Sequence, residues 1–298
     1  MATNPSANNP SANTPTGNDS SPNKEQIDFW SGDRGKAWAD SAERYDLQLE
    51  RYSLLAVGAA APLPGDRAID VGCGAGATTF EAARAVGPTG YVIGVDVSGP
   101  MLERARHEQE RTGLTNVEFV EADVQTMTPL TELADVVVSR FGVMFFDDPI
   151  AAFANLAAMV RDRGRLGFAC WGPASSNEWM SVPAVALAPI APLPEPSPAD
   201  APGPFSFADQ DRVESILEAA GWSDVTFEVV DDPLYLGGPG SLAEVVEFVL
   251  GASSLSPLVA DRREEARQLL SDALAPRFDG HGVKFHANAH IVRAVREA

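Results

Sequence analysis

Cysteine is scarce in this chain of 298 residues, with only Cys73 and Cys170. One sits in a glycine-rich stretch and the other in an apolar run, so neither a disulfide framework nor a zinc cluster is expected, and a reducing cytoplasm fits. Lysine is rarer than its usual share, confined to Lys24, Lys36 and Lys284. No tyrosine has a lysine four residues on, which excludes the Tyr-x-x-x-Lys pair of a short-chain dehydrogenase. No apolar run reaches the length of a membrane span. Positive charge is also thin: 22 bases face 42 acids, for a net charge of −20. Such a field repels phosphate backbones and disfavours nucleic acid as a partner. Residues 1–26 hold almost no large apolar side chain, no basic start and no apolar core of a leader, so they read as a disordered tail.

What is present is strand-and-helix alternation. Trp30, Trp38, Tyr45, Leu49, Tyr52 and Leu55 recur at helical spacing, which predicts two short amphipathic helices capping the core over 27–62. From Arg67, short apolar runs alternate with helical patterns: "RAIDV", "YVIGVDV", "VEFVEAD", "DVVVSRF" and "RLGFACW". Ser98 and Asp148 stand where two of the intervening helices need N-caps. This predicts an α/β, Rossmann-like doubly wound sheet with its core over 63–172. A proline-rich stretch, 173–207, interrupts the pattern and is expected to be a structureless lid over a ligand. The remainder, 208–298, supplies a sixth strand at "VTFEVV", a helical insertion over 241–277 and a closing strand at "HIVRAVRE". The helix Ser241–Leu250 suits a lid or a homodimer interface.

The first strand runs into "DVGCGAGA". Glycines in such a turn let the backbone bend sharply and approach a ligand closely. Asp96, ending the second strand, is placed to accept ribose hydroxyls. A nucleoside-bearing cofactor follows. Gly72-Cys73-Gly74-Ala75-Gly76-Ala77 fits the dinucleotide fingerprint, but Asp70 two residues earlier suits a cationic ligand and opposes a pyrophosphate. S-adenosylmethionine carries an ammonium and a sulfonium and no phosphate. Asp123 and the Val124 amide, after the third strand, suit the adenine edge.

With "AIDVGCGAG", "IGVDVSGPML", "VEADVQ", "DVVVSRFGVMFF" and "RLGFACW" in this order, the chain resembles class I S-adenosylmethionine-dependent methyltransferases, in particular the ubiquinone/menaquinone-biosynthesis-like small-molecule group. The resemblance spans about Ala68 to Trp171. It implies a seven-stranded sheet whose last strand is antiparallel. It also implies S-adenosylmethionine as cofactor: Asp70, Gly72, Cys73, Gly74 and Gly76 around its methionine part, Asp96 on the ribose, and Val97 and Met101 beside the adenine. Asp123 and Val124 would read the adenine edge, and Ser139, Arg140 and Phe141 would lie near the reacting methyl. One departure is "RDRGRL", where relatives commonly carry Pro-Gly-Gly.

Methyl transfer from a sulfonium is a direct displacement that asks chiefly for alignment, so no catalytic residue need be evident. His286 and His290, four apart on one strand face, serve as bases only if the strand end reaches the pocket, and no third ligand makes them a metal site. His107 belongs to a surface helix. Trp30, Trp38, Phe145, Trp171 and Trp179 are the candidate walls of an acceptor pocket, and of the adjacent Phe145 and Phe146 only one can face inward. Asn177 is a candidate acceptor contact or a loop cap, and Arg140 a carboxylate clamp or an ion pair. The aromatics favour a small apolar or aromatic methyl acceptor. The alternatives are an NAD(P)-dependent oxidoreductase on a related fold and a non-catalytic S-adenosylmethionine-binding protein. Two thiols are too few for arsenite methylation.

Overall fold

The computed structural model describes residues 22–193, 198–252 and 256–297. Three helices come first: α1 (Lys24–Ser31), α2 (Asp33–Asp40) and α3 (Ala42–Ala60). The core then alternates as β1 (Arg67–Val71), α4 (Ala77–Val86), β2 (Tyr91–Asp96), α5 (Gly99–Thr112), β3 (Val117–Glu121), β4 (Ala134–Arg140), α6 (Pro149–Ala158) and β5 (Val160–Trp171). After it come α7 (Glu178–Leu187), α8 (Gln210–Ala219), β6 (Trp222–Tyr235), α9 (Leu242–Ala252), α10 (Arg263–Leu274) and β7 (Lys284–Arg296). The seven strands form one sheet in the order β3-β2-β1-β4-β5-β7-β6. β7 is antiparallel to both β5 and β6, and the other pairings are parallel. Strand order reverses between β1 and β4, where open sheets of this kind bind ligands beyond their carboxyl ends.

The central strands are near-continuous runs of Val, Ile and Ala because helices bury both of their faces. On one face α3 lies against β5 so closely that a Cβ on Gly167 would sit 2.2 Å from the Ala60 nitrogen. On the other, Phe153, Phe168, Phe207 and Trp222 interdigitate, and the Trp222 indole donates to the Phe153 carbonyl at 3.0 Å. A separate apolar cluster, including Leu187, Val246, Leu270 and Phe285, joins α7, α9 and α10 to the far end of the β6–β7 pair.

Five expectations are corrected. The cap holds three helices, because Gly32 in an extended conformation and Ser41 divide it. The first of them begins at Lys24, inside the stretch read as a tail; residues 1–21 lie outside the described residues. The proline-rich stretch contains α7, with Pro183 buried inside it. β6 and β7 are each longer than read, with Pro233 paired opposite His286. β6 is an edge strand, and an edge tolerates a residue that cannot donate to a ladder. Asp148 caps α6 by accepting from the Ala151 amide at 3.0 Å, whereas the Ser98 hydroxyl turns away and donates to the Trp30 carbonyl at 2.7 Å.

Two glycines test the packing against α3. Gly167→Ala drives a methyl into the α3 backbone and should lower stability by about 1–3 kcal/mol. Gly58 is exposed in α3 with nothing within 4 Å of its Cβ position, so Gly58→Ala should raise stability by roughly 0.5–1 kcal/mol. Urea denaturation of both variants checks the pair of signs.

Candidate functional site

The turn after β1 is built by backbone geometry. Gly72, Gly74 and Gly76 have φ of 63, 55 and 91°, a region other residues enter only with strain. The Gly72 and Cys73 amides both donate to the Val95 carbonyl, at 2.9 and 3.1 Å, so the turn is tied to β2. Gly72 also meets the turn after β4: a Cβ on it would lie 2.7 Å from the Gly142 Cα. Cys73 is buried, and burial first of all holds its thiol well above its ordinary range.

Asp70 is 1% exposed. Its Oδ2 accepts from the Thr79 hydroxyl at 2.6 Å, while its Oδ1 is buried with no hydrogen-bond partner among the described residues. Burial pushes this carboxyl up to about 7, against the Thr79 bond and the charge of Arg140. An unpaired buried carboxylate oxygen is costly, and a cation beside it would remove the cost.

Asp96 fastens the loop. Its Oδ2 accepts from the Gly74 amide and its Oδ1 from the Ser98 amide, both at 2.8 Å. Each oxygen retains a lone pair for a ribose hydroxyl. Met101 lies against Gly74, with its methyl 2.9 Å from that glycine's Cβ position. Asp123 accepts from the Gln125 amide and the Thr126 hydroxyl. It also accepts from the Asn23 side-chain amide at 3.1 Å, so the cap reaches the residue expected to read adenine. The Val124 carbonyl takes a bond from Asn155 at 2.8 Å. The cap closes further over β2 through the Ser31 hydroxyl, which donates to the Val97 carbonyl at 2.8 Å.

Other expected site residues make hydrogen bonds within the protein. The Ser139 hydroxyl donates to the Val71 carbonyl at 2.7 Å and accepts from the Gly142 amide at 3.2 Å. Arg140 donates to the Ser53 hydroxyl at 3.1 Å and to Asp46 at 3.0 Å, which makes it an ion pair with α3. It still lines a cleft of about 650 Å³ shared with Asp46, Ser53, Ala75 and Ala77. Asn177 is fully engaged: it donates to the Gly172, Pro173 and Asn288 carbonyls and accepts from the Trp179 indole and the Asn288 amide. It is a loop cap and offers nothing to an acceptor.

The aromatics separate into two groups. Trp30 packs edge-on against Phe145 and Trp38, and Trp38 stacks on Tyr45 at 3.6 Å, so these hold the cap together. Phe145 lies on a 3-10 turn, and Phe146 turns to Phe153 in the core. Phe141, Trp171, Trp179 and Tyr52 form the second group. Phe141 stacks on Trp171 at 4.0 Å, Tyr52 meets both edge-on at 5.2 Å, and Trp179 covers Trp171 at 4.9 Å. Phe141 has φ 61°, strain of the kind that collects at functional sites.

The histidines are elsewhere. His290 pairs with Cys170 in the sheet, so it faces away from Trp171, the next residue along β5. It is buried, its Nδ1 has no partner among the described residues, and burial pulls its basicity down. His286 is exposed, 3.7 Å from Asp231. Neither reaches the glycine turn. Among the described residues no cluster of His, Cys, Asp or Glu is arranged to hold a metal ion. Sequence reading missed Thr79, Ser53, Asp46, Gly142 and Asn23. Only Gly142 carried a signal, as a glycine directly after a strand.

Comparison with known proteins agrees with this geometry. Residues 63–221 match the methyltransferase domain family, and the chain belongs to that family. It is 34% identical over 137 residues to aklanonic acid methyltransferase DauC of Streptomyces sp. (strain C5), covering 45% of this chain and 62% of that protein. It is 36% identical over 121 residues to nocamycin O-methyltransferase of Saccharothrix syringae, covering 40% and 42%. The match thus spans less than two thirds of either relative. The fold is shared with the YcgJ protein of Bacillus subtilis (TM-score 0.51, 18% identity, 84% of this chain and 99% of that one). It is also shared with Haemonchus contortus phosphoethanolamine N-methyltransferase 2, solved with phosphomonomethylethanolamine and S-adenosylhomocysteine (TM-score 0.56, 16% identity, 93% and 60%).

Asp70 sets a pH test. Its folded-state pKa lies above its unfolded one, so the folded protein holds the extra proton between the ordinary value of 3.8 and about 7. Its contribution to stability is present at the acid end of that window and is lost as pH rises through it. Asp70→Asn should flatten the fall in stability across this window, as measured by denaturation at a series of pH values. An unchanged slope would show that the carboxyl is not titrating there.

Proposed function

We propose that this chain transfers a methyl group from S-adenosylmethionine to a small apolar or aromatic acceptor. The observation that carries the reading is the unpaired Asp70 oxygen, buried under the glycine turn. A carboxylate there fits the ammonium of a methionine and repels a pyrophosphate, which disfavours a nicotinamide dinucleotide. The residues present therefore fit the cofactor. Asp70 and the cleft at Arg140 would hold its amino-acid end, Asp96 its ribose, and Asp123 with Val124 its adenine edge. The bound cofactor supplies an activated methyl on a sulfonium.

The rest is alignment. The chain's own residues fix the β1 and β4 turns against each other and exclude water with the cap and the α7–α9–α10 cluster. Positioning of this sort supplies several kcal/mol of the barrier reduction in displacement reactions. Fully engaged Ser139 and Asn177 support a mechanism without acid–base assistance from the chain. The two curated relatives, named as methyltransferases of aklanonic acid and of nocamycin, support a small-molecule acceptor. Two cysteines that form no disulfide support a reducing compartment, and no helix among the described residues is long and apolar enough to cross a membrane.

Calorimetric titration tests the reading. S-adenosylhomocysteine should bind with micromolar affinity and NAD(H) should not bind. Asp96→Ala should weaken binding by about tenfold or more, the loss of one to two hydrogen bonds to a charged group. Affinity in the wild type should also rise from pH 6 to pH 8 as Asp70 ionises, and Asp70→Asn should lose that rise. NAD(H) binding in place of S-adenosylhomocysteine would overturn the assignment.

A further inference from the structure

The first turn of α4 is linked to both Asp70 and Arg140. Thr79 is fully buried, and its hydroxyl donates to the Asp70 Oδ2 at 2.6 Å. That length is typical of a charge-assisted bond from a hydroxyl to a carboxylate. Its neighbour Thr78 is buried as well and donates at 3.3 Å to the Ser53 hydroxyl, which also accepts from Arg140. A helix threonine often turns its hydroxyl back to a carbonyl of the preceding turn. Thr79 directs it instead to a side chain of β1. With Oδ2 held, the Asp70 Oδ1, buried and without a hydrogen-bond partner among the described residues, is the oxygen left for a ligand.

Resting on the methyltransferase reading above, we propose that Thr79 positions Asp70 for the ammonium of S-adenosylmethionine, holding one carboxylate oxygen and leaving the other to the ligand. It is a positioning residue and acts through Asp70. The hydroxyl also bears on the charge of the carboxyl. Burial does most to keep Asp70 protonated. The Thr79 hydroxyl is the strongest influence in the other direction, followed by the charge of Arg140 from β4; Asp96 from β2 favours the proton, and the Thr79 amide opposes it least. Cys73, in the turn itself, is held protonated by burial and adds no charge. Without the hydroxyl the carboxyl keeps its proton to higher pH, and a protonated carboxyl offers an ammonium no charge. The effect of Thr79 is therefore on the ligand's amino group, and not on its carboxylate or nucleoside.

The test compares S-adenosylhomocysteine with 5′-S-(3-carboxypropyl)-5′-thioadenosine, the same molecule without its amino group. Affinities of the wild type, Thr79→Val and Thr79→Ser are measured by calorimetry from pH 6 to pH 9, with displacement titration for the weaker ligand. We expect the wild type at pH 8 to prefer S-adenosylhomocysteine by about tenfold or more, one hydrogen bond to a charged group. In Thr79→Val the preference at that pH should fall below about threefold, through weaker S-adenosylhomocysteine binding alone, and the rise of its affinity with pH should move upward. Thr79→Ser, which keeps the hydroxyl, should restore both. Thr79→Ala, which also lacks the hydroxyl, gives the same reading should Thr79→Val not fold. A full preference retained in Thr79→Val overturns the proposal. Equal weakening of both ligands also overturns it, by marking a merely structural role, and so does a wild type without preference. Failure of S-adenosylhomocysteine to bind the wild type at all overturns the cofactor reading instead.

Discussion

Two glycine backbones touch where the turns after β1 and β4 meet, and the site depends on that contact. A Cβ on Gly142 would lie 2.5 Å from the Val71 carbonyl oxygen and 2.8 Å from the Gly72 Cα. With no side chain on either residue, the two turns close on each other at the point where the sheet's order reverses. Ser139 then bridges them through Val71 and the Gly142 amide. The same closure places Phe141 in its strained conformation and directs it onto Trp171. The two turns are thus set by one backbone contact, and neither can shift without moving the other.

Helix α3 carries this geometry outward. It packs on β4 and β5 with small residues, and its polar side chains reach the elements that cover the site. Asp46 and Ser53 hold Arg140. The Gln48 side chain accepts from the Gly237 amide at 2.7 Å. The Tyr45 hydroxyl donates at 3.3 Å to the Ala252 carbonyl, which also accepts from Arg34 of α2. That carbonyl ends α9, where unsatisfied acceptors and the helix dipole favour a cation. The cap helices and the end of α9 therefore share one anchor on the Ala252 carbonyl.

The core was legible in the sequence because its signals are local. A strand ending in Asp, three spaced glycines and a helix form a pattern within seventeen residues, and the following strands repeat at short intervals. The seven strands and the antiparallel last one came with the family resemblance. What escaped was non-local or context-dependent. Asn177 stayed open between an acceptor contact and a loop cap because its five bonds run to three separate stretches, including Asn288 more than a hundred positions away. Arg140 was ambiguous because its partner lies on α3. The helix at Glu178–Leu187 was hidden by Pro183, since proline inside a helix is rare and is tolerated here by packing against its neighbours. His286 and His290 were read correctly as sharing a strand face, but the face itself depends on the register with β5, which no local pattern states.

Charge divides the site into two unlike ends. Beneath the glycine turn, Asp70 feels the charge of Arg140, which pairs in turn with Asp46. At the ends of β4 and β5 the rings of Tyr52, Phe141, Trp171 and Trp179 pack together. This asymmetry suits a reaction whose leaving group is already activated. A sulfonium loses its charge on transferring the methyl, so an apolar surround at the reacting carbon does not oppose the displacement, while charged partners held farther off keep the cofactor in place. A base or metal at the acceptor's end would help only a nucleophile too weak to react on its own. The chain places its buried His290 on the face of the sheet opposite to Trp171.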